Sequence, residues 1–397
     1  MTAKRRVRQV LRVMAAVVVA LVVICVGYVA IVSQLSRRVV AVPDLTGPSV
    51  VGRTMAEWVD RTRTDPLAPG GGPRRLSVWL WYPSAAAGTS AGYAPGGWRK
   101  LLFGGPVGWF ESDADKIRVH ATADAPVAGG KLPIVVLEPG MGLSAPQYTA
   151  VAENLASHGY LVAGVTPTYS ANLTMLDGAA VMSTSKGNPP DLGGHSGSAQ
   201  DEGNALVALW AADARFVARE AAALDGPFRG KVEQGAVTYV GHSFGGAASL
   251  EACHLDRHCV GAVDLDGTQF GSVVQEGLSV PSMILGSEDS CVTGTCGPDA
   301  TNPEGERETA ASFVKASTGM SWRFILNGAR HFNFTDYSLY YLARPVRNLV
   351  PLGSIDGRRA LSIENACLTA FIDVVNKRAA AKALDKVLHN NPELSQA

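Results

Sequence analysis

The chain has 397 residues, enough for one large α/β domain with additions or for two domains. Apolar residues make up 47% and charged residues 18%, and the 43 Gly and 22 Pro follow no triplet period, which excludes a disordered or collagen-like chain. The formal net charge of zero is unevenly spread: residues 1–38 carry seven basic groups (Lys4, Arg5, Arg6, Arg8, Arg12, Arg37, Arg38) and no acid, leaving 28 basic and 35 acidic groups on the other 359 residues. A body with net charge −7 argues against a nucleic-acid partner, because phosphate affinity needs a basic surface.

The 20 residues from Val13 to Val32 contain no charge and are mostly Val, Ala, Leu and Ile. As a helix they would extend roughly 30 Å, the thickness of a bilayer's hydrocarbon core. Five basic residues precede the run and two follow it, a bias that places the N-terminus in the cytoplasm and the body outside it. A cleaved secretory signal is the rival reading. The run is longer than the usual signal core, however, and Tyr28–Arg38 offers no good Ala-x-Ala site. Cys25, preceded by Val23 and Ile24, is a poor lipoprotein acceptor.

The cysteines of the body fall into close pairs, Cys253 with Cys259 and Cys291 with Cys296, leaving Cys367 single. In an exported chain such pairs read as local disulfides. Zinc is the rival for the first pair, since His254 and His258 lie between its members, but the spacing lacks Cys-x2-Cys.

Along the body, residues 39–74 read as a stalk or lead-in, with a short helical candidate at Met55–Thr62. Arg75–Tyr82 (RLSVWLWY) reads as a strand, and residues 84–115 as an irregular insertion. Regular alternation begins at Pro133. Strand Ile134–Leu137 precedes a helix over 145–158 that ends at Gly159, and Tyr160–Val165 is the next strand. A loop rich in Ser, Gly, Asn and Pro covers 166–198, and a helix follows at about 200–224. Strand Ala236–Val240, a helix after Phe244, and strands at Val260–Leu265, Pro281–Leu285 and Trp322–Leu326 come next. A last helix runs from Leu361 to Lys377, and residues 378–397 form a polar tail whose end admits a helix. Short apolar strands alternating with helices specify a mostly parallel sheet covered on both faces.

Within this alternation, Gly241-His242-Ser243-Phe244-Gly245 fits G-x-S-x-G between a strand and a helix. The sharp turn pushes a serine hydroxyl out at the carboxyl edge of the sheet, and glycines flank it because side chains there would clash. A nucleophilic serine needs a base, which follows the acid in this arrangement. His331, a short loop beyond strand Trp322–Leu326, is the candidate; His389 lies in the polar tail, and His242 reads as a packing residue turned away from the serine. Two carboxylates suit the acid: Asp266 after strand Val260–Leu265 and Asp289 after Pro281–Leu285, and spacing leaves both open. Oxyanion donors are expected at the N–H of Phe244 and of Met141, in the loop Glu138-Pro139-Gly140-Met141-Gly142.

Gly241-His242-Ser243-Phe244-Gly245-Gly246, Leu155-Ala156-Ser157-His158-Gly159-Tyr160-Leu161-Val162-Ala163 and His331-Phe332-Asn333-Phe334-Thr335-Asp336 resemble the plasma-type platelet-activating factor acetylhydrolases and their bacterial relatives, and Val263-Asp264-Leu265-Asp266-Gly267 is similar to that family's Leu-Asp motif. The resemblance covers roughly residues 75–375 and implies an α/β-hydrolase fold. It also implies Ser243, Asp266 and His331 as triad, with Met141 and Phe244 as oxyanion donors. Pro139-Gly140 departs from the family's usual His-Gly before the oxyanion residue. The expectation is therefore a membrane-anchored, extracytoplasmic serine hydrolase of short-acyl esters, phospholipid-type esters included, with no metal or organic cofactor. A polyester or dienelactone hydrolase, an exported peptidase and a non-catalytic surface binding module are the alternatives. Among the body's aromatics Trp79, Trp81, Trp98, Trp109 and Phe110, the last two are candidates for an acyl or lipid-contact surface.

Overall fold

A computed structural model describes residues 3–101, 110–190, 197–300 and 305–397. Its first element is α1 (Ala3–Ser36), a helix long and apolar enough to cross a membrane, with its Val, Leu and Ile side chains exposed along most of its length. The same length and composition suit a membrane anchor or an export signal. The end of α1 meets the body, where the Ser36 carbonyl accepts from Asp113 N at 2.9 Å.

The body is built on a ten-stranded sheet: β1 (Val50–Thr64), β2 (Pro73–Ser84), β3 (Thr122–Ala123), β4 (Leu132–Glu138), β5 (Leu161–Thr166), β6 (Val232–His242), β7 (Cys259–Leu265), β8 (Ser282–Ser287), β9 (Ser321–Leu326) and β10 (Leu394–Gln396). Their spatial order is β10-β9-β8-β7-β6-β4-β5-β2-β1-β3. The six strands β4 to β9 are mutually parallel, and β2 and β10 join antiparallel on either side. Parallel strands must be buried on both faces, and β4 (LPIVVLE) is buried at every residue. Its Val135 and Leu137 face a core shared with α2 (Thr149–Ser157) and α6 (Gly357–Val375). Ile134 and Val136 face the opposite core, against α3 (Ser198–Ala222) and α4 (Phe244–Leu255). The fold is α/β, with helices on both faces of a mostly parallel sheet.

Three local expectations change. Met55–Thr62 is not helical; it lies within β1, which pairs with β2 from Val50↔Ser84 to Asp60↔Arg74, so the lead-in carries a full strand of the sheet. Met-Ala-Glu-Trp favours a helical turn locally, but the antiparallel ladder to β2 outweighs that weak preference. The tail forms α7 (Lys382–Asn390), which buries Leu384, but it also adds an unexpected strand, β10, paired with β9 at the sheet edge. The long loop after β5 carries a small hairpin, Thr174–Leu176 with Ala179–Val181. Helix α5 (Glu306–Ala316) was not anticipated. Trp79, Trp81 and Trp98 are core residues; Trp109 lies outside the described residues, and the Phe110 carbonyl accepts from Ala343 N.

A buried arginine ties the layers together beneath the carboxyl edge. Arg74 of β2 donates to both carboxylate oxygens of Asp213 on α3, to Asp65, and to the Thr168 carbonyl after β5. These partners satisfy a guanidinium that could not otherwise be buried.

Candidate active site

Strand β6 ends at His242 and α4 begins at Phe244, so the whole reversal falls on Ser243, whose φ is +56°. Such a conformation is costly for a residue with a side chain, and its neighbours hold it in place. Ser243 N donates to the Leu265 carbonyl at 2.8 Å, and its own carbonyl accepts from Gly246 N at 2.8 Å. Gly245 cannot bear a side chain here, because a Cβ would stand 2.3 Å from the Pro139 carbonyl oxygen. The turn brings the end of β4 against the start of α4.

His331 opens a single turn of 3-10 helix after β9. Its Nε2 lies 2.9 Å from Ser243 Oγ, and its Nδ1 lies 2.8 Å from Asp266 Oδ2. Asp266 follows the end of β7 in the left-handed region, φ +55°. Its second oxygen accepts from Ser287 N and from Ser290 Oγ, both at 2.7 Å. Burial disfavours the Asp266 charge, but these donors and His331 outweigh it and hold the carboxyl down to about 2. Burial also disfavours a charged His331, yet the hydrogen bond and charge of Asp266 prevail and raise it above the ordinary histidine value.

Asp289 stands apart. Its carboxylate accepts from Ser287 Oγ at 2.8 Å and lies 3.7 Å from Arg330 Nε. Of the two carboxylates that spacing left open, the structure brings Asp266 to the histidine.

The loop after β4 lies across the elbow, and Met141 and Phe244 both line the cavity over Ser243. Their backbone N–H groups have no partner among the described residues. The cavity measures about 480 Å³, and its lining mixes apolar residues (Met141, Pro189, Pro190, Phe244, Phe270) with polar ones (Thr268, Ser287, Asp289, Ser290, Glu306). Glu306 accepts from Thr268 Oγ1 and from Cys291 N, fastening α5 to the cavity wall.

Both cysteine pairs are disulfides, Cys253–Cys259 and Cys291–Cys296. His254 and His258 are therefore not zinc partners of the first pair; His254 bonds instead to the Gly277 carbonyl and Glu276.

Sequence reasoning missed the donors that fix Asp266, Ser287 and Ser290, although both flank the other candidate acid, Asp289. It also missed the surroundings of His242. That ring is buried and makes no bond to Ser243, but it bonds to Tyr148 and to the backbone of His331.

The family described as platelet-activating factor acetylhydrolase, isoform II, matches residues 224–386, a span that holds Ser243, Asp266 and His331. Over this span the chain is similar to the platelet-activating factor acetylhydrolases. A platelet-activating factor acetylhydrolase of Cavia porcellus is 24% identical over 298 residues, covering 69% of this chain and 62% of that protein. The chain thus spans somewhat less than two thirds of that curated relative. A solved ferulic acid esterase from Streptomyces cinnamoneus superposes with a TM-score of 0.73 at 28% identity, covering 90% of this chain and 98% of the esterase. With its mostly parallel sheet covered by helices on both faces, this chain has the α/β-hydrolase fold.

Proposed function

We propose that the protein is a serine ester hydrolase in which Ser243 is the nucleophile, His331 the general base and acid, and Asp266 the group that orients the histidine. The continuous line of hydrogen bonds from Ser243 Oγ through His331 to Asp266, at 2.9 and 2.8 Å, carries this reading. Ser243 Oγ attacks the ester carbonyl carbon while His331 Nε2 takes its proton. The N–H groups of Phe244 and Met141 receive the oxyanion, helped by the start of α4. Collapse expels the alcohol, which takes the proton from His331. Water, deprotonated by His331, then attacks the acyl-enzyme and frees Ser243.

The substrates are short-acyl carboxylic esters, phospholipid-type esters among them. The cavity of about 480 Å³ falls within the size of small-ligand clefts, and both named relatives are ester-cleaving enzymes by name. The catalytic body lies outside the cytoplasm, held by α1. Two disulfides suit an oxidising compartment, and the basic residues ahead of α1 suit a cytoplasmic N-terminus.

Ser243→Ala should abolish labelling by a fluorophosphonate probe and lower p-nitrophenyl acetate turnover by several orders of magnitude. Residual turnover within about tenfold of wild type would refute the nucleophile. Across p-nitrophenyl esters of two to sixteen carbons kcat/KM should peak at the short end; a maximum at long chains refutes the substrate class.

A further inference from the structure

A second histidine stands behind the elbow in a chain of buried hydrogen bonds that the proposed triad does not use. Gly140 N lies 2.8 Å from Tyr148 Oη, that oxygen lies 2.8 Å from His242 Nδ1, and His242 Nε2 lies 2.9 Å from the His331 carbonyl oxygen. Tyr148 and His242 are each 1% exposed, so water does not substitute for these partners.

The two ends set the direction of the chain. An amide N–H only donates and a carbonyl only accepts. Tyr148 therefore accepts from Gly140 and gives its single proton to Nδ1, while His242 keeps its own proton on Nε2 and donates to His331. The other neutral tautomer would face an unprotonated Nε2 against a carbonyl oxygen, two acceptors 2.9 Å apart. Burial, with the charge of His331 next, depresses His242 to about 3, in keeping with a neutral ring.

Each end belongs to a different half of the proposed machinery. Gly140 directly precedes Met141, the second oxyanion donor, and His331 is the base. The fit is close: a Cβ on Gly140 would stand 2.9 Å from His242 Nδ1 and 3.2 Å from Ser243 Cβ. The His242 and His331 rings lie 4.6 Å apart and tilted by 42°, so a neutral His242 adds no charge beside the imidazolium that forms during turnover.

We propose that His242 is a positioning residue which, through Tyr148 and the His331 carbonyl, holds the oxyanion loop and the catalytic base in fixed register about Ser243. The inference rests on Ser243 and His331 being nucleophile and base. It adds a role for the variable residue of the elbow motif.

The test uses the full chain in detergent, with p-nitrophenyl acetate as substrate and four variants: His242→Leu, His242→Gln, Tyr148→Phe, and Tyr148→Phe combined with His242→Leu. Because misplacement by about 1 Å can cost about 10²-fold, His242→Leu should lower kcat by roughly 10- to 100-fold with KM within about threefold. His242→Gln, whose amide reaches the place of Nε2 and can donate to His331, should recover much of that loss. Since both single changes break one chain, the double variant should cost no more than His242→Leu alone.

A His242→Leu kcat within about threefold of wild type, a loss confined to KM, or single losses that multiply in the double variant would overturn the inference. If thermal scans show that His242→Leu does not fold, Tyr148→Phe and His242→Gln decide: wild-type kcat in both overturns it, and loss in Tyr148→Phe supports it. Ser243→Ala separates the two layers. A dead Ser243→Ala beside a fully active His242→Leu removes this inference alone, whereas an active Ser243→Ala removes the nucleophile and this inference with it.

Discussion

Asp266 Oδ2 meets His331 Nδ1 at 2.8 Å although 65 residues separate them, and Asp289, nearer in sequence, is turned to Ser287 and Arg330. Asp266, the acid of the proposed triad, thus stands at the end of the strand directly after the elbow helix. Asp266→Asn should lower kcat by about 10⁴, the cost of losing the orienting carboxylate in a serine triad. Asp289→Asn should stay within about tenfold of wild type, because its partners lie beside the histidine and not on it. Steady-state kinetics of the two variants decides, and a larger loss at Asp289 reverses the assignment.

The same pair sets the pH dependence. A base works only when deprotonated, so kcat/KM should rise with pH through the value for His331, which lies above the ordinary one because Asp266 outweighs burial. In Asp266→Asn the residual activity should rise at lower pH, since the opposing charge is gone and burial remains. A pH–rate series on both proteins measures this; a limb that stays in place shows that Asp266 does not govern His331.

The two disulfides offer an internal comparison. Ser290, which donates to Asp266, directly precedes Cys291, whose N–H donates to Glu306 in the cavity wall. Cys253–Cys259 instead joins the end of α4 to the start of β7, at the opposite end of that strand from Asp266. Both close short loops, so removing either should cost roughly 2 kcal/mol of stability. Only Cys291→Ala with Cys296→Ala should also lower kcat, by about 3- to 10-fold. Thermal scans alongside turnover separate the effects; equal kcat losses from both pairs would contradict the link to Ser290.

Glu111 is buried, and neither carboxylate oxygen has a hydrogen-bond partner among the described residues. Burial pushes its carboxyl up to about 8. An unfolded glutamate titrates at about 4.3, so the folded state binds the proton more tightly between these values. Its stabilising contribution is thus fully present below about pH 4 and is lost as pH rises through about 8. Glu111→Gln keeps the neutral shape and removes the titration. Its Tm should fall less than that of wild type across this range and exceed it at alkaline pH. Parallel Tm curves would show that Glu111 does not titrate as its burial requires.

Features carried by adjacent residues were legible in the chain alone. The parallel core strands are short apolar runs because both faces are covered, and the elbow announces itself by glycines where no side chain fits. The two close cysteine pairs follow from local pattern, and the proposed roles of Ser243 and His331 rest on local pattern and chain order. Residues 50–64 were not legible, since Met-Ala-Glu-Trp satisfies a helix locally and only the partner strand 73–84 makes it extended. The terminal edge strand is equally invisible, because Leu394–Gln396 has no pattern of its own and is defined by β9 beside it. Spacing left Asp266 and Asp289 open and only the family resemblance pointed to Asp266: both end a strand at the same sheet edge, and a hydrogen bond of 2.8 Å to His331 depends on which edge position faces the loop after β9. His242 shows the same division. Its place in the motif is written in the sequence, but its partners Tyr148, Gly140 and the His331 carbonyl come from three separate segments, and only packing brings their polar atoms together where no water can replace them.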